Sequence, residues 1–328
     1  MAFLPAPKAT KTEIEDHILK NFNIGKLLSY KKIKKGLANC IYYIKTTKGD
    51  FAFKIAIRHN SNKIYYEIKL LNSIHGLPIP KPIKTKDDKY IFDYKGHRTL
   101  VYPFLPGKEE EKFTKNMFFE VGKFLGKLHL QTEGFIPPVK RTDFYNTSLK
   151  RIKRVVKESR HQKNIKIQKA VSYLKENTLK YKLPAGLPNG AMHIDFKPEN
   201  TLFIKGKLTG VVDFDNSYNG PLIFDLADTL AWFCSKNGKF DMNGAKIIYQ
   251  GYKSVRKLTT QEHQALFDAL HRAFCAIVLC GIDYLNHKNL PEKYIVWAVD
   301  NLLETQKNLK ITKGEFQKIF NKYNFCNL

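Results

Sequence analysis

The chain has 328 residues, 43% of them hydrophobic, enough to bury a substantial core and, at this length, to fill two lobes rather than one small domain. A formal net charge of +26 points by itself to an anionic partner, but the lysines run through the whole chain with no recognisable nucleic-acid module, so nucleic-acid binding is not expected. The five cysteines form no CxxC pair and no apolar stretch reads as a membrane helix or signal-peptide core, which disfavours zinc and disulfide scaffolds and leaves a cytoplasmic protein with no membrane partner as the expectation.

From Leu27 to Ile57 apolar runs alternate with turns: a strand enters a turn from Ile33 to Gly36, and further strands are predicted over Cys40–Ile44 and Asp50–Ile55. Gly36 lets the backbone approach a phosphate, and Asn39 follows as a turn-ordering side chain. Lys54 stands inside an otherwise apolar strand, where a charge needs a partner or a ligand. Glu67, on a helix predicted over Ile64–Leu71, is the expected partner. Gly76-Leu77-Pro78-Ile79-Pro80 then forces an extended connection, because proline removes backbone donors and restricts its predecessor. A further strand pair is predicted to end in Thr99–Gly107, a hinge between lobes.

Apolar residues recur at helical spacing from Met117 to His129, and His129 reads as a packing or hydrogen-bonding residue. The basic stretch from Lys140 to Lys169 reads as a solvated helical surface. Next comes the most informative segment, His193-Ile194-Asp195-Phe196-Lys197-Pro198-Glu199-Asn200, followed by Val211-Val212-Asp213-Phe214-Asp215. Phosphoryl transfer needs a carboxylate at the acceptor hydroxyl, a cation beside the phosphate and oxygen ligands for magnesium. Asp195, Lys197 and the pair Asn200 and Asp213 offer these in order, with a hairpin predicted between Thr201 and Val212 to join the two metal ligands. With that chemistry in place, Gly36, Asn39, Lys54 and Glu67 become candidates for holding the phosphates of ATP, and the hinge around Val101, Tyr102 and Phe104 for holding adenine. Asp225 opens a core helix and either caps it or braces the catalytic loop.

The catalytic segment resembles the catalytic loop of protein kinases and of aminoglycoside phosphotransferase-like small-molecule kinases. With Gly76–Pro80, Phe104–Gly107, Val121–His129, Pro221–Ala227 and Gly251–Thr259 in the same order, nearly the whole chain resembles the homoserine kinase family of that fold. The resemblance implies an α+β, two-lobed protein-kinase-like fold: an antiparallel-sheet nucleotide lobe over residues 1–104 with one helix, and a larger, mainly helical catalytic and substrate lobe over 105–328. It implies ATP and Mg2+ as cofactors, Asp195 as catalytic aspartate, Asn200 and Asp213 as metal ligands, and homoserine as acceptor, with another amino alcohol or an aminoglycoside second. Lys54, Lys197 and Ile194 depart from the usual pattern of that family. So does the late helix over 273–283, where Ala276 and Gly281 stand in place of expected arginines and Arg272 is the nearest candidate to meet a substrate carboxylate. A non-catalytic kinase-fold protein holding an anionic partner is the reading from another class.

Overall fold

The computed structural model describes residues 8–33, 39–57, 61–141, 145–287 and 290–321. Helix α1 (Lys11–Glu13), capped by Thr10, runs into a π-helical turn over Ile14–Leu19. Strands β1 (Leu27–Ile33), β2 (Asn39–Thr46) and β3 (Gly49–Ala56) follow as a meander. Helix α2 (Ser61–Ser73) crosses over, and β4 (Phe92–Tyr94) and β5 (His97–Pro103) complete an antiparallel sheet of order β1-β2-β3-β5-β4.

The period of two along each strand sorts the faces of this sheet. Cys40, Tyr42, Ile44, Phe53, Ile55 and Val101 pack on one side with Ile14, Ile18 and Phe22 from the amino-terminal segment. The intervening Ala52, Lys54, Leu100 and Tyr102 face the other way, where Leu100 and Tyr102 join the main core.

The rest of the chain is mainly helical. Helix α3 (Lys115–Thr132), capped by Thr114, leads to α4 (Leu149–Glu158) and α5 (Ile165–Asn177). Four short strands, β6 (Asn189–Met192), β7 (Thr201–Ile204), β8 (Lys207–Val211) and β9 (Tyr218–Pro221), frame the catalytic segments. They are followed by α6 (Leu222–Cys234), the small hairpin β10 (Ser235–Lys236) and β11 (Lys239–Phe240), α7 (Met242–Lys253) and α8 (Thr260–Asn286). Helices α9 (Glu292–Ala298), α10 (Glu304–Asn308) and α11 (Lys313–Asn321) close the described chain. Helices α3 and α7 meet backbone to backbone: a Cβ at Gly122 would lie 1.8 Å from the Ile248 carbonyl oxygen, and one at Gly251 would lie 2.1 Å from that of Phe119. Only glycine admits this approach.

Two expectations change here. Helix α8 is, by length and a mean hydropathy of 1.7, apolar enough to cross a membrane, contrary to the sequence reading, yet 83% of that apolar window is buried inside the protein. An all-round hydrophobic helix is what a core position requires. The basic stretch is only partly a solvated surface. Lys150, Lys153 and Lys157 on α4 are exposed, but Arg151 Nε and Arg154 Nη2 both donate to Asp283 Oδ2, at 2.9 and 2.8 Å, and tie α4 to α8.

Candidate active site

Two small ladders bring the catalytic segments together. Strand β6 pairs with β9 so that Met192 faces Tyr218, and β7 pairs with β8 so that Thr201 faces Val211. Residues 193–200 and 212–217 therefore run side by side between the same two ladders. The Val212 N–H donates to the Asn200 carbonyl at 3.0 Å, and the Ser217 hydroxyl lies 3.5 Å from the His193 carbonyl oxygen. Lys205 and Gly206, at φ 49° and 77°, make the β7–β8 turn of the left-handed kind that matches strand twist.

Asp195 is buried at the centre of this arrangement. Lys197 Nζ lies 2.8 Å from its Oδ1 and 5.1 Å over the Trp232 ring. Burial works against the Lys197 ammonium, but the Asp195 carboxylate outweighs it and holds the pKa above the usual lysine value. Asn200 Nδ2 donates to the Asp195 carbonyl at 2.7 Å and lies 3.4 Å from its Oδ2, and Asn216 Nδ2 lies 3.5 Å from the same Oδ2. Because the Asn200 amide nitrogen is committed to Asp195, its oxygen is the atom left to ligate a cation. Asp213 stands at φ 68° and is an exposed residue. Surrounding protein, and then the nearby Asp215 and Asp195 carboxylates, push its pKa up.

Lys54 reaches the cleft from β3. Its Nζ donates to both Glu67 oxygens at 3.0 Å, and the Tyr102 hydroxyl donates to Glu67 Oε1 at 2.9 Å. Lys54 also contacts the Asp215 carboxylate, to which the Asn39 side-chain amide donates as well. Burial opposes the ammonium, but Asp215 and Glu67 together raise its pKa well above the ordinary value. Oxygen ligands, paired cations and a held carboxylate now stand together, with the Asp195 and Asp215 carboxylates both close enough to perturb Asp213.

Residues 29–258 match the phosphotransferase enzyme family. The chain belongs to that family. Among curated relatives of this phosphotransferase, a homoserine kinase of Rhizobium meliloti (strain 1021) is 30% identical over 79% of this chain and 81% of its own length. Solved structures of like fold include an amicoumacin kinase bound to AMP-PNP, Ca2+ and amicoumacin, at TM-score 0.70 and 16% identity over 95% of this chain and 97% of that one. A microcompartment-associated aminopropanol kinase aligns at TM-score 0.65 and 15% identity over 88% and 93% of the two chains.

Several candidates from the sequence fall elsewhere in this phosphotransferase. Val101 turns its side chain to the far face of the sheet, away from Lys54, and its carbonyl accepts the Ile83 N–H at 2.8 Å. The Phe104 N–H is taken by the Asp50 carbonyl at 2.9 Å, while the exposed Phe104 ring meets Tyr43 edge-on. Tyr102 faces the cleft, but its hydroxyl is spent on Glu67. Gly36 lies outside the described residues. Arg272 is half-buried on α8, eleven residues before Asp283 and roughly 16 Å back along the helix axis.

The two roles left open for Asp225 can now be separated. Asp225 leaves its own helix uncapped and instead accepts the N–H groups of His193 and Ile194, at 2.8 Å each, and a bond to His129 Nε2 at 3.0 Å. His129 closes the chain of contacts through Tyr252 at 2.7 Å, so it is a structural hydrogen-bonding residue. Asp228, one turn beyond Asp225, is buried with no geometrically formed hydrogen bond to either oxygen among the described residues, and burial, then the neighbouring Asp225 and Asp195 carboxylates, raise its pKa well above the usual range against the opposing Trp232.

Proposed function

We propose that this phosphotransferase is an ATP- and magnesium-dependent kinase of a small hydroxyl compound, with homoserine as first acceptor and O-phosphohomoserine as product. The observation that carries this reading is Asp195, buried, held by Lys197 and Asn200, and facing the cleft that also contains Lys54 and Asp213. Asp195 orients the acceptor hydroxyl and takes its proton as the oxygen attacks the γ-phosphorus and the bond to the ADP leaving group breaks. Lys197 offsets charge on the transferred phosphoryl group. Lys54, aligned by Glu67 and Tyr102, holds the α- and β-phosphates. The donor set suits magnesium, since Asn200 offers an amide oxygen and Asp213 a carboxylate beside two others. A magnesium ion held there would neutralise phosphate charge. The lobe boundary fits best after Phe104, where β5 ends and the chain enters the helical part.

The test is a panel of acceptors, namely homoserine, choline, ethanolamine, methylthioribose and aminoglycosides, with ATP consumption and product phosphorylation measured together. Asp195→Asn is expected to cut turnover about 1000-fold with nucleotide affinity nearly intact, whereas Asp213→Asn is expected to weaken metal-dependent nucleotide binding. Near-wild-type turnover by Asp195→Asn would overturn the assigned site. RNA or acidic-lipid binding with steep salt dependence, and no phosphate transfer to any acceptor, would instead favour a non-catalytic anion-binding protein.

A further inference from the structure

Helix α6 is buried along its whole length, and three side chains on one face of it, at i, i+3 and i+7, follow the catalytic loop from end to end. Asp225 holds the N–H groups of His193 and Ile194, the charges of Asp195 and Lys197 both act on Asp228, and Trp232 presents its ring to the Lys197 ammonium at 5.1 Å. The first contact fixes the loop backbone. The last touches a catalytic group. Among the described residues Lys197 makes one ion pair, with Asp195 Oδ1 at 2.8 Å, and one cation–π contact, with Trp232.

A second carboxylate in place of the ring would occupy another N–H of Lys197 and cancel charge that the phosphoryl group needs. An aromatic face attracts the ammonium through its quadrupole without taking any one N–H as a directed partner, so the remaining donors stay free to meet phosphate oxygens. The ring is itself held. Trp297 of α9 stacks on it at 6.1 Å and 15°, and Tyr294 packs against Trp297 at 5.8 Å. The stack gives Trp297, an exposed tryptophan, a reason to stand where it does. We propose that Trp232 is a positioning residue for phosphoryl transfer: its ring holds the Lys197 ammonium beside Asp195, ready for the transferred phosphoryl group, and Trp297 holds the ring. The proposal rests on the kinase reading above and adds to it two residues, from α6 and α9, that act through Lys197.

A double-mutant cycle separates this role from packing. Trp232→Phe, Trp232→Leu and Trp297→Leu are each made in the wild type and in Lys197→Met, and kcat, the ATP KM and thermal unfolding are measured with L-homoserine or whichever alcohol of the panel is phosphorylated. With Lys197 present, Trp232→Leu is expected to lower kcat about 10-fold and Trp297→Leu about threefold, with the ATP KM within about twofold. Trp232→Phe keeps an aromatic face and is expected to lose only about twofold. In Lys197→Met the same substitutions are expected to change kcat by less than about twofold. Equal losses on the two backgrounds, or Phe as damaging as Leu at position 232, make Trp232 a packing residue and overturn the proposal. Should Trp232→Leu not fold, the Trp297→Leu cycle decides by the same criterion. If no alcohol is phosphorylated, the kinase reading fails on its own, and the hold of the ring on Lys197 is read by fluorescence. The chain has two tryptophans, so Trp297→Phe leaves Trp232 as the single emitter. Lys197→Met is then expected to shift its emission maximum and Lys197→Arg, which keeps a cation, to shift it less; an unchanged spectrum in Lys197→Met refutes the contact.

Discussion

The carboxylate of Asp225 accepts the Ile194 N–H at 2.8 Å, and Ile194 stands at φ 58°. A left-handed conformation costs an L-residue about 1–2 kcal/mol, and a β-branched side chain is the least suited to it. The same carboxylate holds His193 and His129, so three donors converge on one buried group. Burial alone would raise the Asp225 pKa, but the His129 bond and the charges and N–H groups around it win and lower it. Ile194 is thus kept in an unfavourable conformation one residue before Asp195.

Asp225→Asn is the first prediction. An amide must point its NH2 at one of three donors, so the catalytic loop loses a bond and gains a repulsion. Turnover is expected to fall about 100-fold with ATP affinity within a few-fold of wild type, and stability to fall by about 3 kcal/mol. Steady-state kinetics alongside thermal unfolding check both. A stable variant with full turnover would remove Asp225 from the support of the loop.

The Glu67 pair with Lys54 predicts a graded series. Tyr102→Phe removes one bond to Glu67, worth about 1 kcal/mol, and the ATP KM is expected to rise about fivefold. Glu67→Gln removes the charge that aligns Lys54, and a rise of about 100-fold is expected. Reversal of that order would show that Tyr102 meets the nucleotide directly.

Gly122 sets the distance between α3 and α7, and with it the contact of His129 with Tyr252 at 2.7 Å. A methyl group at Gly122 meets a backbone carbonyl that no rotamer change can move, so Gly122→Ala is expected to destabilise the fold by about 3 kcal/mol. Gly251→Ala acts on the same helix pair. The double variant is expected to lose less than the sum, because the first methyl already parts the helices. Denaturant titration of the four proteins measures the coupling.

His271, on α8, predicts a pH dependence outside the cleft. Its ring is buried, stacked on Tyr181 at 4.7 Å and tilted against Phe267 at 4.4 Å, with neither nitrogen partnered among the described residues. Burial drives its pKa from 6.5 down to about 4 despite the opposing charge of Asp268. The unfolded chain therefore binds the proton more readily. Stability contributed by the neutral ring is complete above pH 6.5 and is lost as pH falls toward 4, with an upper bound of about 3 kcal/mol. Equilibrium unfolding of wild type and His271→Phe across that window is expected to show a shallower acid slope in the variant, and parallel slopes would refute the assignment.

The catalytic segment was legible because its chemistry is local: Asp195, Lys197 and Asn200 lie on one loop, and the hairpin between Thr201 and Val211 carries its own turn signal. Lys54 was legible as a charge in an apolar strand. Val101 and Tyr102 alternate on one strand, so only one of them shares a face with Lys54, and the Val101 carbonyl is taken by the Ile83 N–H, a partner that the strand's own pattern does not encode. Asp225 was left with two possible roles, and Asp215 and Arg141 with none, for a different reason. Their roles arise from contacts 31, 161 and 74 residues away in sequence, with Ile194, Lys54 and Asp215 respectively, and no periodicity encodes a distance of that kind. The arginines of α4 escaped notice because composition counts charge without showing that Asp283 lies beneath them.

Lys54 has a further consequence for how the cleft fills. Its ammonium sits between two carboxylates, Glu67 and Asp215. A phosphate that takes hold of Lys54 does so by exchange, one anion leaving as another arrives, and the displaced Asp215 carboxylate becomes available to whatever cation travels with the phosphates. Loading is then close to electroneutral at every stage. The net gain from the lysine is the difference between two ion pairs, so the affinity for ATP is expected to change far less with ionic strength than the overall positive charge of the chain would imply.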